Sequence, residues 1–244
     1  MELVTQARFL PAGECALVVE FGATIDPVLN DRVLALDAAL SARKLVGIVE
    51  TVPTYRSLMI HFEPRLWSHE ALVRALRGLE IAPPAERPAP RHWVMPACYE
   101  PPCAEDIGDV AQALSLSRQR VAALHAGAFY RVYMYGFAPG YVFLGGLPAE
   151  LAISRRASPR PPIPPGALLI AGGQALIASV SMPTGWYDIG RTPAKTFDSE
   201  RDPPGLLRAG DRLRFEPVDF ATFERLAQEA ETGAPIIRQV SEEA

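Results

Sequence analysis

Cysteine is scarce in this chain: Cys15, Cys98 and Cys103 are the only three among 244 residues. An odd, small set in a chain whose first nine residues lack a basic start and an apolar core argues for reduced thiols rather than a disulfide framework. A cytoplasmic protein is therefore expected. No stretch approaches the roughly 18 apolar residues that a membrane helix needs. Charge of one sign is also missing, with Lys+Arg 24 against Asp+Glu 28 and a net charge of -4, so neither a nucleic-acid footprint nor an anionic membrane surface is expected as a partner. The four histidines are scattered and supply no ligand spacing, and no metal is expected. The chain contains no G-x-x-x-x-G-K-[ST] phosphate loop, no G-x-G-x-x-G, no H-E-x-x-H and no G-x-S-x-G elbow. Small molecules and another protein remain as partners.

The residues present describe a folded protein in two parts. Hydrophobic residues make up 49% of the chain, and the 24 prolines fall in short strings that read as loop corners. Ala16 to Phe21 reads as a buried strand, and Pro27 opens a helix through Leu40. The runs Val46 to Val52 and Ser57 to Phe62, joined by Pro53 to Arg56, form a hairpin. A second helix fits Ser68 to Leu79, with Ser68 as its N-cap. Two helices then cover one face of a small antiparallel sheet. Ala82 to Pro90 holds four prolines in nine residues and can continue neither a helix nor a strand. This places an α+β N-terminal domain at 1–84, a proline-rich linker at 85–90 and a second domain at 91–244. In the second part, Arg91 to Ala97 reads as a strand, followed by helices over Asp106 to Leu114 and Ser117 to Ala126. Between Phe129 and Phe215 short β runs alternate with Gly and Pro turns, the pattern of an irregular barrel or sandwich. A last helix, Asp219 to Gln228, packs on the outside.

Two patches in the second part carry the polar chemistry. Tyr135 to Leu147 brackets aromatics with glycines, so the backbone near Gly140 either presents N–H groups to a carbonyl or carboxylate, or merely turns a barrel corner. The second patch holds Arg160 in a proline-stiffened loop, Gln174 after a Gly-Gly bend, then Gly185, Trp186, Arg191 and Thr192. Arginine forks read carboxylates and a glutamine amide reads an amide, which fits a planar polar substrate; structural ion pairs are the alternative use of the two arginines. His125, at the end of the Ser117 helix, is the best-placed histidine for acid-base catalysis, and a contact with the last helical carbonyls is its alternative role.

As a set, several motifs resemble one family. They are Val19-Glu20-Phe21-Gly22, Glu50 to Leu58, Cys98-Tyr99, Gly136 to Leu144, Pro159-Arg160, Pro165-Gly166, Ile170-Ala171-Gly172, Gly185-Trp186, Ile189 to Pro193 and Gly210 to Phe215. The family is that of allophanate hydrolase subunit 1, also called carboxyltransferase subdomain C/D, with the PxpB component of 5-oxoprolinase and the kinase inhibitor KipI among its members. The resemblance spans nearly the whole chain. It implies a small α+β N-terminal domain followed by a mainly-β, cyclophilin-like barrel. It also implies a homologous second subunit that completes a site for an amide such as 5-oxoproline or urea. ATP enters the 5-oxoprolinase reaction, and with it a third subunit. Two other roles belong to the same resemblance: half of a biotin-dependent urea carboxyltransferase, and a KipI-like inhibitor of a histidine kinase. The sequence departs from the family pattern at Gln174 to Ser179 and at Pro183-Thr184-Gly185-Trp186, where a tyrosine and a glycine of many relatives are replaced. The implied architecture therefore reaches further than the implied substrate.

Overall fold

The computed structural model describes residues 7–81 and 89–241. Most of the proline string, 82–88, lies outside the described residues. Internal contacts divide the chain into two compact units, 1–89 and 90–244.

The first unit is an antiparallel sheet backed by two helices. Its strands are β1 (Arg8–Pro11), β2 (Ala16–Glu20), β3 (Ile48–Pro53) and β4 (Ser57–Phe62), in the order β1-β2-β4-β3. Between β2 and β3 runs α1 (Pro27–Arg43), whose start is fixed locally: the Asp26 carboxylate accepts from the N–H groups of Val28 at 2.7 Å and Leu29 at 3.3 Å, and Pro27 has no N–H to satisfy. Ser68 caps α2 (His69–Arg77) by accepting from Ala71 N–H at 3.2 Å. Val33, Leu36 and Leu40 of α1, with Leu72 and Leu76 of α2, bury themselves against Leu17, Val19, Leu58 and Ile60. Alternation along β2 and β4 thus turns one sheet face to both helices. The short β1, whose Phe9 lies opposite Val19, is an element the sequence pattern does not reveal.

The second unit is a closed seven-stranded mixed barrel. Its staves are β5 (His92–Cys98), β6 (Tyr130–Tyr135), β7 (Val142–Gly145), β9 (Ala167–Ala171), β10 (Gln174–Ile177), β12 (Tyr187–Arg191) and β13 (Arg212–Val218). Around the ring the order is β12-β9-β10-β7-β6-β13-β5, and β5 returns to β12. Of the two readings left open by the sequence, barrel or sandwich, the barrel is the one formed. Seven register pairs join β5 and β13 in parallel, from Arg212 with His92 to Val218 with Cys98. The ring closes at one pair, Arg191 with Cys98, and β14 (Arg238–Val240) pairs with the start of β5, from His92 to Val94. Inward residues such as Met95, Val132, Leu144, Leu168, Ile170, Ile177, Ile189 and Phe215 fill the interior. They are joined by Ile107 and Val110 of α3 (Ile107–Ala113) and Val121 of α4 (Arg118–Ala126). The outer face of β9 and β10 packs separately: Leu169, Leu176 and Trp186 meet Ile163 of the ribbon formed by β8 (Arg160–Ile163) and β11 (Met182–Thr184). Finally α5 (Phe220–Glu231), capped by Asp219, lies outside with no buried residue.

Candidate functional site

Three stiff corners meet beside the β12 end of the barrel. In the turn after β6, Phe137 and Gly140 adopt left-handed φ values of 70° and 74°. Glycine is needed at 140, since an added Cβ would stand 2.2 Å from the Cβ of Phe197. Side chains bind this turn to its neighbours. Thr196 donates its hydroxyl to the Gly140 carbonyl at 2.9 Å, Ser179 donates to the Pro139 carbonyl, and Tyr141 donates to the Val180 carbonyl at 3.3 Å. The second corner, Gly166, donates its N–H to the Ala178 carbonyl at 2.7 Å and accepts from Thr192 N–H at 2.9 Å. The third is Thr192 itself, whose hydroxyl oxygen accepts from Ala194 N–H at 3.2 Å.

Between these corners and α5 lies a cleft of about 340 Å³, bounded by Pro165, Ser179, Thr192, Lys195 and Phe197 on one side and by Phe223 and Ala227 on the other. Lys195 crosses to Glu231 of α5 at 2.7 Å. A second cleft of about 460 Å³ shares Ala194 and Lys195 and is floored by Trp93, Leu206, Ile236 and Ile237. In the first cleft the Thr192 hydroxyl, on a residue only 2% exposed, has no acceptor for its proton among the described residues. The Ser179 and Thr196 hydroxyls are spent on backbone carbonyls, and the ammonium of Lys195 is paired.

Behind the cleft, on the outer side of β12, sits a buried ionic cluster. Asp188 is fully buried, and among the described residues neither of its carboxylate oxygens has a hydrogen-bond partner. Its backbone is tied to Asp106 in both directions: Asp106 N–H donates to the Asp188 carbonyl at 2.8 Å, and Asp188 N–H donates to Asp106 Oδ2 at 2.8 Å. Arg160 bonds Asp106 at 2.6 Å and also Glu105, and its Nη1 stands 4.0 Å from Asp188 Oδ2. Arg156 reaches Asp106 at 3.2 Å. Burial pushes the Asp188 carboxyl up to about 7, against the pull of Arg191 and Arg160. The Cys103 thiol, also buried here, is pushed up to about 12.

The residues singled out from the sequence separate in space. Thr192 borders the cleft, and Gly140 stands behind it, its carbonyl bonded to the lining residue Thr196. Arg191, next to Thr192, turns to the Pro102 carbonyl at 3.4 Å, and Arg160 is held in the ionic cluster. Gln174 pairs with Ala171 at the far end of β9, whereas Arg191 pairs with Ala167. Four residues of strand, roughly 13 Å at about 3.3 Å each, separate those levels. The two guanidinium groups and the carboxamide therefore do not surround one hollow. The Gly185 carbonyl accepts from Arg156 N–H at 2.9 Å. Trp186 is buried against Phe143 beneath the β8–β11 ribbon, with Arg155 over its ring. His125 is enclosed in the barrel: its ring stacks on Phe215 at 4.8 Å, its Nδ1 lies 2.8 Å from the Tyr99 hydroxyl, and burial lowers its pKa to about 3. That is the geometry of a neutral core histidine; the ring's hydrogen-bond contact is with Tyr99 and not with the last helical carbonyls, and the His125 carbonyl itself accepts from the Tyr130 hydroxyl at 3.0 Å. Asp188, Asp106, Ser179 and Lys195 are residues the sequence pattern does not single out. An acid inside the β-rich run from Trp186 to Ile189 is the signal that could have pointed to Asp188.

Among the described residues, no helix is long and apolar enough to cross a membrane, and no group of three or more His, Cys, Asp or Glu side chains is placed to hold a metal ion. Comparison with known proteins places this architecture. The family model of the carboxyltransferase domain, subdomain C and D, matches residues 7–207. The B-type subunit of 5-oxoprolinase from Bacillus subtilis is 34% identical over 231 residues, covering 89% of this chain and 95% of that protein. The crystal structure of TTHA0988 superposes with a TM-score of 0.75 at 35% identity, over 84% of this chain and only 40% of that one. The urea amidolyase of Kluyveromyces lactis shares the fold, with a TM-score of 0.78 at 20% identity over 98% of this chain and 16% of that one. With most of its length matched by the family model and by a relative at this identity, the chain belongs to the carboxyltransferase subdomain C and D family.

Proposed function

We propose that this chain is a cytoplasmic subunit of an amide- or lactam-opening enzyme of the 5-oxoprolinase and urea amidolyase type, that it binds the substrate carbonyl in the cleft beside Gly140 and Thr192, and that a homologous second subunit completes the site. The observation that carries this reading is the make-up of the cleft. Rigid corners and one hydroxyl proton are available to orient a carbonyl, while Lys195 is ion-paired and the other hydroxyls are spent. Opening a C–N bond requires water activated by a base at the carbonyl carbon and a proton delivered to the leaving nitrogen. Among the described residues neither group stands free in the cleft, so both come from elsewhere in an assembly. In support of an assembly, the same unit is most of the Bacillus subtilis relative, itself a subunit by name, and a minor part of the TTHA0988 chain. We take the barrel to be of the cyclophilin-like type.

ATP fits the partners better than this chain. Arg201, beside the second cleft, is spent on the carbonyls of Lys195, Thr196 and Pro204, and Lys195 faces Glu231. The chain has no phosphate-binding loop of the familiar kind, and we place the nucleotide on the second or a third subunit.

Co-expression with the homologous second subunit, with and without a third, followed by assay of ATP-dependent conversion of 5-oxoproline to glutamate and of urea turnover, tests the proposal. Turnover by the assembly and none by the lone chain is expected, with Thr192→Val lowering turnover about tenfold for one lost hydrogen bond to substrate. Turnover by the lone chain, or equal turnover by Thr192→Val, would overturn it. Dependence on a biotinylated protein would instead assign carboxyl transfer to urea, and inhibition of histidine kinase autophosphorylation by the lone chain would assign a regulatory role.

A further inference from the structure

Asp188 does not line the cleft, yet it stands three residues before Arg191 and four before Thr192 on the same stretch of chain. Of the elements packed around it, β9 is wholly apolar, with Leu169 opposite Asp188, and the others bring charged or ionisable groups. Arg191 comes from β12 itself, Arg160 from β8, Cys98 from β5, and Cys103, Glu105 and Asp106 from the segment before α3. Arg156 adds a further charge through Asp106 and Asp109. Asp106 is well satisfied, since it accepts from Asp188 N–H and Arg160 and is ion-paired with Arg156. Arg160 is anchored on two carboxylates.

Arg191 is the loosely held member of the cluster. Its guanidinium makes one long bond, to the Pro102 carbonyl at 3.4 Å, and its buried Nε has no partner among the described residues. Two under-bonded groups of opposite kind, Arg191 and Asp188, thus share one buried space. The backbone of Arg191 is also the seam of the barrel, as the only register pair among the described residues that joins β12 to β5. The next residue, Thr192, donates to the Gly166 carbonyl and forms the cleft wall.

We propose that Asp188 is a positioning residue: its protonation state sets the seat of the Arg191 side chain and, through the β12 seam, the Thr192–Phe197 wall of the cleft. When Asp188 is neutral, Arg191 rests on the Pro102 carbonyl. When it is ionised, the carboxylate draws the guanidinium across to itself, because an unpaired buried charge is far more costly than a long neutral-acceptor bond is favourable. The neighbouring Cys103 thiol, raised to about 12, stays neutral throughout the range in which Asp188 ionises. The inference concerns the shape of the wall and does not rest on what the cleft binds.

Amide hydrogen exchange on the full chain between pH 5.5 and 8.5, corrected for the intrinsic pH dependence of exchange, reads this directly. In the native sequence, peptides covering residues 190–198 are expected to change protection by about tenfold, the equivalent of one pKa unit of coupling, with a midpoint near neutrality. Peptides from β2 and β4 are expected to stay constant. Asp188→Asn and, as an apolar replacement of similar size, Asp188→Leu should both abolish the step. Arg191→Met should abolish it while leaving Asp188 in place. A flat native profile, or a step that survives in any of these variants, would overturn the proposal. Should the Asp188 variants not fold, the native chain and Arg191→Met decide it by the same criterion.

Discussion

Two buried groups in the barrel unit titrate abnormally in opposite senses, and together they shape stability against pH. Asp188 has its pKa raised from 3.8 to about 7 in the folded chain. Below pH 4 the acid is protonated whether the chain is folded or not. Between pH 4 and 7 the unfolded chain has lost the proton and the folded chain still holds it, so stability falls by about 1.4 kcal/mol per pH unit, to a ceiling of about 4 kcal/mol. His125 is lowered from 6.5 to about 3. Above pH 6.5 it is neutral in both states; below that the unfolded chain takes up a proton that the folded chain refuses, so stability is lost on acidification, by at most about 5 kcal/mol. Over the shared window, pH 4 to 6.5, the slopes oppose each other and nearly cancel. Asp188→Asn removes one of them. Measured by urea unfolding at steps from pH 4 to 8, the stability of the variant relative to the native chain should rise by about 1.4 kcal/mol per pH unit between pH 4 and 7 and run level above pH 7. The constant offset between the two curves depends on how the new amide is bonded, so the slope carries the test. Parallel curves for variant and native chain from pH 4 to 7 would refute the argument that Asp188 is neutral in the fold at acid pH.

Other changes have equally specific outcomes. Gly140→Ala forces a side chain into a left-handed backbone position and against Phe197; thermal unfolding should show a loss of about 1–3 kcal/mol or more, where a solvated corner would show less than 1. Asp211 accepts from Arg91 Nε at 3.0 Å, Trp93 Nε1 at 3.1 Å and Arg208 N–H at 2.8 Å while nearly buried. Asp211→Ala should therefore cost about 3–5 kcal/mol by leaving Arg91 unpaired, whereas Arg238→Ala, which breaks the exposed pair with Glu216 at 2.8 Å, should cost under about 1 kcal/mol in the same denaturation assay.

What the sequence made legible is what local chemistry decides. Asp26-Pro27, Ser68 and Ser117 each start a helix because the signal, a short side chain reaching N–H groups two or three residues on, is complete within four residues. The hairpin of β3 and β4 follows from two β runs separated by a proline turn. The glycine at 140 was legible as a sharp bend, because only a missing side chain permits that backbone. By contrast, the parallel pairing of β5 with β13 joins residues about 120 apart, and nothing near Trp93 or Leu213 announces it. The register of β9 decides that Gln174 and Arg191 stand at opposite ends of one strand, and register is a property of pairing, not of composition.

The same limit explains why the acid-base residue expected from sequence and the ionic cluster found in the fold differ. An unperturbed histidine suits proton transfer, but His125 has its properties set by Phe215 and Tyr99, which arrive from distant strands and loops and hold it neutral. Asp188 is ordinary in sequence and unusual in the fold for the same kind of reason: Asp106, 82 residues away, takes its backbone N–H, and Arg160 is spent on Asp106 and Glu105 before it can neutralise the carboxylate. A buried acid left without hydrogen bonds lowers stability at neutral pH, and packing alone would be served as well by a leucine beside Leu169, its register partner on β9. Such a group four residues from the cleft wall, with a loosely held arginine between, is the pattern expected where stability is exchanged for a responsive site.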